Sequence, residues 1–130
     1  MESLELSHTG EHKNSARRTG PALEAAYRFQ LWLIPTVDKF PRAQRFLLGD
    51  RIQATALDLI ERLIEATYSK ARMGHLTQAN LAVEKLRMLF RLAAELRYLD
   101  LRRYEYAARH LEEIGRMIGG WRKMHHADKT

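Results

Sequence analysis

"LDLRRYEYAARHLEEIGRMIGGWRK", residues 99–123, reads as one amphipathic helix with a marked beginning. Asp100 can accept a hydrogen bond from the free N–H groups of a first helical turn. Leu99 before it and Tyr104 four residues into the helix are spaced for a hydrophobic staple. Leu111, Ile114, Ile118 and Trp121 follow at the three-to-four spacing of a face turned to a core. Gly115 and Gly119 fall beside Ala108 at the edge of that face. Each glycine costs up to ~1 kcal/mol against alanine inside a helix, so the strip reads as a place where another helix packs closely. Gly120 projects instead with Arg102 and Arg109. Either the helix loosens there before Trp121 rejoins the bundle, or a neighbouring backbone or ligand approaches.

Three more helical periods lie upstream. Residues 21–40 begin with Pro21, which suits a first helical turn, and carry Leu23, Tyr27, Leu31, Ile34 and Val37 at helical spacing; Pro35 lacks a backbone donor and should kink the helix near Leu31. Pro41 breaks the chain and opens a second helix over about 42–73, with Gly74 as a left-handed stop and "GHLT" as the turn. The third helix spans about 77–98 and the fourth about 101–123. Residues 1–19 are polar, show no period that would bury a face, and read as a disordered tail before a bundle over 20–126; residues 127–130 read as a frayed end. Four helices on short connections, with no strand signal, predict an all-α antiparallel four-helix bundle.

The apolar arcs are wider than one bundle needs. In the second helix Leu48, Ile52, Ala56, Leu59 and Leu63 suffice for a core, yet Phe46, Leu57, Ile60, Ile64 and Tyr68 fill the adjoining sector, and the whole arc spans about 200° where about 100° would do. In the third, Val83, Leu86, Phe90 and Ala93 form one arc and Leu81, Met88 and Leu92 another on the far side. The surplus sectors predict a homo-oligomer interface made by Leu57, Ile60, Ile64, Tyr68, Leu81, Met88 and Leu92; scattered exposed apolar residues are the plainer alternative.

Of the 130 residues 22 are Lys or Arg and 16 Asp or Glu, a net charge of +6, and the tail residues balance, so the excess belongs to the bundle. Arginine forks suit phosphates and carboxylates, which points to a polyanion or an acidic protein as partner. Arg87 and Arg91 share a polar sector of the third helix with Glu84, Glu95 and Tyr98. Arg102, Arg109, Arg116 and Lys123 recur every seven residues on the fourth, a basic line about 30 Å long. Glu105 and Glu112 precede Arg109 and Arg116 by four, the orientation favoured for ion pairs that would leave the line merely solvated.

Catalytic signatures are missing: no Gly-rich phosphate loop, no G-x-S-x-G, no H-E-x-x-H. The chain has no cysteine, its histidines are scattered, and neither a metal site nor a cofactor is expected. One enzymatic alternative is an arginine-lined bundle cavity holding a dicarboxylate, as in small all-helical chorismate mutases, with Arg45, Lys70 and Arg97 as its cations; their positions at helix ends fit snorkelling to water instead. No apolar run reaches about 18 residues and no leader pattern opens the chain, so it is expected to be cytoplasmic and away from membranes.

Taken together, "LWLIPTVDKFPRAQRFLLGDRI", "NLAVEKLRMLFRLAAEL" and "LEEIGRMIGGWRK" resemble the accessory variability determinant (Avd) of diversity-generating retroelements, within the wider group of four-helix-bundle proteins similar to the rRNA intervening-sequence protein. The likeness spans about 27–123 and lies in the order of F-P-R, L-R-x-x-x-R and E-x-G-R-x-x-G-x-W. It implies a pentameric barrel with no catalysis of its own that associates with reverse transcriptase and RNA or DNA during mutagenic retrohoming. Arg87 and Arg91, on L-R-x-x-x-R, are the first candidates for those contacts, and Arg109, Arg116 and Lys123 the second. A protein-only helical adaptor, or a bundle of the intervening-sequence type, is the alternative.

Overall fold

The computed structural model describes residues 20–129, with side chains to residue 126. Four long helices run through them: α1 Pro21–Val37, α2 Asp50–Tyr68, α3 Arg72–Glu95 and α4 Leu101–Lys129. A short helical turn, Arg42–Gln44, and a π-helical turn, Arg45–Gly49, lead into α2. The expected disordered tail, residues 1–19, lies outside the described residues.

Aromatic contacts fix the arrangement. Phe29 of α1 meets Phe90 of α3 edge to face, 5.8 Å between ring centroids, and Trp32 stacks on Tyr106 of α4 at 4.5 Å. Arg72 at the start of α3 stands 5.9 Å over the ring of Trp121, far along α4. At the other end Phe40, just past α1, lies 6.2 Å from Tyr98, just past α3. Consecutive helices therefore run antiparallel around one core, an all-helical bundle.

The core stripes of α2, α3 and α4 are those that their spacing predicts. Ile52, Ala56, Leu59 and Leu63, then Val83, Leu86, Phe90 and Ala93, then Leu111, Ile114 and Ile118 are all buried. On α1 the stripe is different. Ala22, Ala26, Phe29 and Leu33 face the core, while Tyr27, Leu31 and Ile34 are exposed. Two apolar stripes interleave on this helix, and the small alanines let α1 approach its neighbours closely where the bulkier set would hold it off.

Helix ends follow local hydrogen bonding. Asp100 caps α4 as its position predicts, its carboxylate accepting the Arg103 N–H at 2.8 Å. That bond, with the Arg103 guanidinium beside it, holds the Asp100 carboxyl below the usual carboxylate range. Leu99 is buried and Tyr104 packs on the core it belongs to. The α2–α3 junction, by contrast, lies earlier than the glycine suggests. Tyr68 ends α2, the Ser69 hydroxyl accepts the Ala71 N–H at 3.0 Å, and α3 begins at Arg72, so Gly74 sits in a first helical turn and "GHLT" is not a turn. The cause is Arg72. Its guanidinium donates to the carbonyls of Ala66 (2.7 Å) and Thr67 (3.2 Å), satisfying acceptors that α2 leaves open at its end. The helices expected to reach residues 40 and 98 stop at Val37 and Glu95. After α3 the Tyr98 N–H bonds Ala93 O at 2.9 Å and the Arg97 N–H bonds Ala94 O at 3.0 Å, with Arg97 in the left-handed region at φ 63. This is the 6→1, 5→2 closure usually built around glycine. The backbone of α4 stays helical to Lys129, past its expected end at residue 123.

Candidate partner and nucleic-acid interface

The glycines of α4 do not mark a close approach between helices of one chain. A Cβ added at Gly115 would meet Arg87 Nη2 and Val83 Cγ1 at 3.8 Å, ordinary contact, and one added at Gly119 or Gly120 would meet nothing within 4 Å. Within the chain, then, Gly115 has only ordinary contact with α3 and no helix presses on Gly119, and α4 runs unbroken through Gly120. Trp121 does pack on the core, with Arg72 over its ring. The glycine that is tightly held is Gly49, where a Cβ would lie 2.6 Å from Val37 Cγ1.

Most of the surplus apolar arc stands on the surface. Leu57, Ile64, Tyr68, Leu81, Met88 and Leu92 are between 42% and 77% exposed. Ile60, at the inner edge of that arc, is half-buried and packs against the core of its own chain. At 100° per residue, Leu57 and Ile64 lie just outside Ile60 on α2, and Tyr27 and Ile34 just outside buried Gln30 on α1. The two exposed stripes flank the α1–α2 seam and make one apolar face. Leu81, Met88 and Leu92 form a second on the outer side of α3, opposite its buried stripe. The α2 and α3 parts follow from the width of their apolar arcs, whereas Tyr27, Leu31 and Ile34 share one ordinary stripe, which announces a helical period without saying which neighbour it meets.

The charged residues divide into paired and unpaired sets. Arg91 pairs with Glu95 at 3.1 Å and Arg87 lies 3.7 Å from Glu84. Among the described residues, Arg102, Arg109, Arg116 and Lys123 make no ion pair within 4.0 Å. The pairing of Glu105 with Arg109 and of Glu112 with Arg116 that would have neutralised the α4 line does not form. Helical spacing gives the two sites different characters: the α3 arginines already share their charge with carboxylates, whereas the α4 line presents free guanidinium and ammonium groups to solvent.

Two grooves run beside these surfaces. One of about 970 Å³ follows the α2–α3 seam, with Asp58, Glu61, Arg62 and Lys85 along it and Leu81 and Met88 at its rim. A second, of about 320 Å³, lies between α3 and α4, with Arg87 and Arg91 on one side, Tyr104 and Glu112 on the other, and Phe90 and Leu111 beneath. Arg45, Lys70 and Arg97 line neither groove; Lys70 and Arg97 are exposed and Arg45 is half-buried at the π-helical corner, so they do not converge on a dicarboxylate cavity. Among the described residues no group of three or more His, Asp or Glu could hold a metal ion, and no helix is long and apolar enough to cross a membrane.

A protein-family model described as bAvd-like matches residues 23–125. No curated protein and no solved structure matches the chain. The family match spans all four helices and includes both exposed apolar faces and the α4 cationic line. The chain belongs to the bAvd-like family, the bacterial accessory variability determinants, which are accessory proteins.

Proposed function

We propose that this protein is a non-catalytic accessory subunit of a diversity-generating retroelement, working as a homo-oligomer that binds reverse transcriptase and RNA or DNA during mutagenic retrohoming. The observation that carries the reading is the α4 line: Arg109, Arg116 and Lys123 are exposed, unpaired and about one heptad apart. Copies joined through the α1–α2 and α3 apolar faces would gather several such lines, so that weak phosphate contacts on each protomer add into avidity. The two faces differ, and a head-to-tail contact between unlike faces makes a ring where the rotation from one copy to the next closes and a filament where it does not. The family likeness points to five subunits. Arg87 and Arg91, on the opposite side of the α3–α4 groove from Glu112, are the groups nearest to a polymerase contact, because a surface with paired charges of both signs suits protein better than phosphate.

The test is binding of a labelled single-stranded RNA at two salt concentrations. Neutralising about six phosphates predicts a loss of roughly two to three orders of magnitude in affinity between about 50 and 200 mM salt. The variant with Arg109, Arg116 and Lys123 changed to Gln should bind weakly and show a flatter salt dependence. An assembled protein that retains neither RNA nor DNA at the lower salt would reject direct binding. Co-purification with reverse transcriptase that survives nuclease would then favour the protein-only adaptor.

A further inference from the structure

The end of the bundle closed by Phe40 and Tyr98 carries a surface of a different kind. Arg97 there occupies the left-handed position at φ 63 that closes α3. Glycine holds that conformation without the crowding a Cβ brings, so an arginine is costly unless its side chain is used. Within the chain it is not: Arg97 is exposed and makes no ion pair among the described residues. Lys39, Arg42, Arg45 and Arg102 lie at the same end and are likewise unpaired, and the Arg45 Nε is buried with no acceptor. Of the nearby acids, Asp100 is taken by Arg103 and Glu95 by Arg91, which leaves Asp38 and Asp50. Interleaved with these cations are Phe46, Leu47 and Leu101, each at least 70% exposed. The π-helical turn Arg45–Gly49 is what presents Phe46 and Leu47 side by side to solvent.

We infer that this end docks an acidic amphipathic segment of a partner protein, with Arg97 as a central anchor. The charge is complementary to carboxylates, and four of the five free cations are arginines, whose forks bind carboxylates in pairs. Phe46 alone could stack on a base, but Leu47 and Leu101 find little in phosphates and sugars, whereas an amphipathic helix brings an apolar stripe beside its acids and suits all three. Of these cations only Arg102 also belongs to the α4 line, and Arg109, Arg116 and Lys123 take no part in this surface.

The experiment uses the full chain and a fluorescein-labelled 15-residue peptide with Leu spaced three and four residues apart and Glu at the flanking positions, read by anisotropy. Binding is expected, and it should weaken at least about fivefold in R97G and about tenfold in the F46S/L47S variant, as it should for the peptide with Gln in place of Glu. R97G relieves the backbone as it removes the guanidinium, so it keeps the fold. The R109Q/R116Q variant should take up the peptide normally while losing RNA, which separates this surface from the proposed nucleic-acid line. Three results would overturn the inference: no peptide binding, peptide binding unchanged in R97G and F46S/L47S, or a loss in those variants of oligothymidylate or phosphatidylserine-vesicle binding in place of peptide binding. A fall in assembly mass on F46S/L47S would also overturn it, by giving the corner to contact between copies.

Discussion

Replacing Gly49 by alanine should destabilise the protein even though its backbone is helical. At φ −60 and ψ −46 alanine is conformationally welcome, and the helix propensity gain is up to ~1 kcal/mol. Against it stands the 2.6 Å separation between the new Cβ and Val37 Cγ1, with Val37 itself only 1% exposed and stiff at its branched carbon. Overpacking of this kind costs about 1–3 kcal/mol, so the net loss should be roughly 1–2 kcal/mol. The same substitution at Gly115 or Gly119 meets only ordinary contacts or open space and should stabilise by up to ~1 kcal/mol. Urea unfolding followed by far-UV circular dichroism, at a fixed protomer concentration because assembly shifts apparent stability, measures all three. V37A alone should cost about 2 kcal/mol for its lost methyl groups. In the V37A/G49A protein the alanine at position 49 should cost little or become favourable, a coupling of about 1–3 kcal/mol. A G49A protein as stable as the parent, or additive with V37A, would refute the steric argument.

Arg72→Met should lower stability by about 2 kcal/mol, because it removes two charge-assisted bonds to the last carbonyls of α2 and the cation over Trp121; an unchanged urea midpoint would show that solvent satisfies those carbonyls equally well. Asp100→Ala should lower the melting temperature at neutral pH. Since the folded carboxyl titrates below its ordinary value, the stabilisation is present above about pH 4 and fades as pH falls through the depressed value, so the difference between the two proteins should shrink on acidification. Arg97→Gly should raise the melting temperature by relieving the left-handed backbone, and a fall would mean that the arginine side chain stabilises its own chain.

Most of the bundle was legible because on α2, α3 and α4 one apolar arc runs on the period that the core demands and is the arc that is buried, and because Asp100 has both the side chain and the staple of a helix start. What was not legible depended on contacts distant in sequence. Gly74 looks like a helix stop, but Arg72 reaches back six residues to close α2, and no local pattern reveals that reach. Gly115, Gly119 and Gly120 draw attention by their number, whereas Gly49, unmarked in the sequence, is the one pressed against a neighbour. Arg97 gives no sign of its left-handed backbone, since arginine is a good helix former. The candidate site was half readable. Seven-residue spacing revealed the α4 line, but only side-chain placement could tell that its glutamates leave it unpaired while the arginines of α3 are engaged.

The proposed assembly depends on apolar surface that one chain cannot shelter. Light-scattering mass after size exclusion, at about micromolar concentration, tests it most directly. The parent should elute at a multiple of 15.2 kDa, and a protein with Glu at Leu57 and Leu92, on the two separate faces, should fall to the monomer mass with its helical content intact. A parent that runs at 15.2 kDa would contradict the assembly and, with it, the gathering of cations on which the proposed function depends.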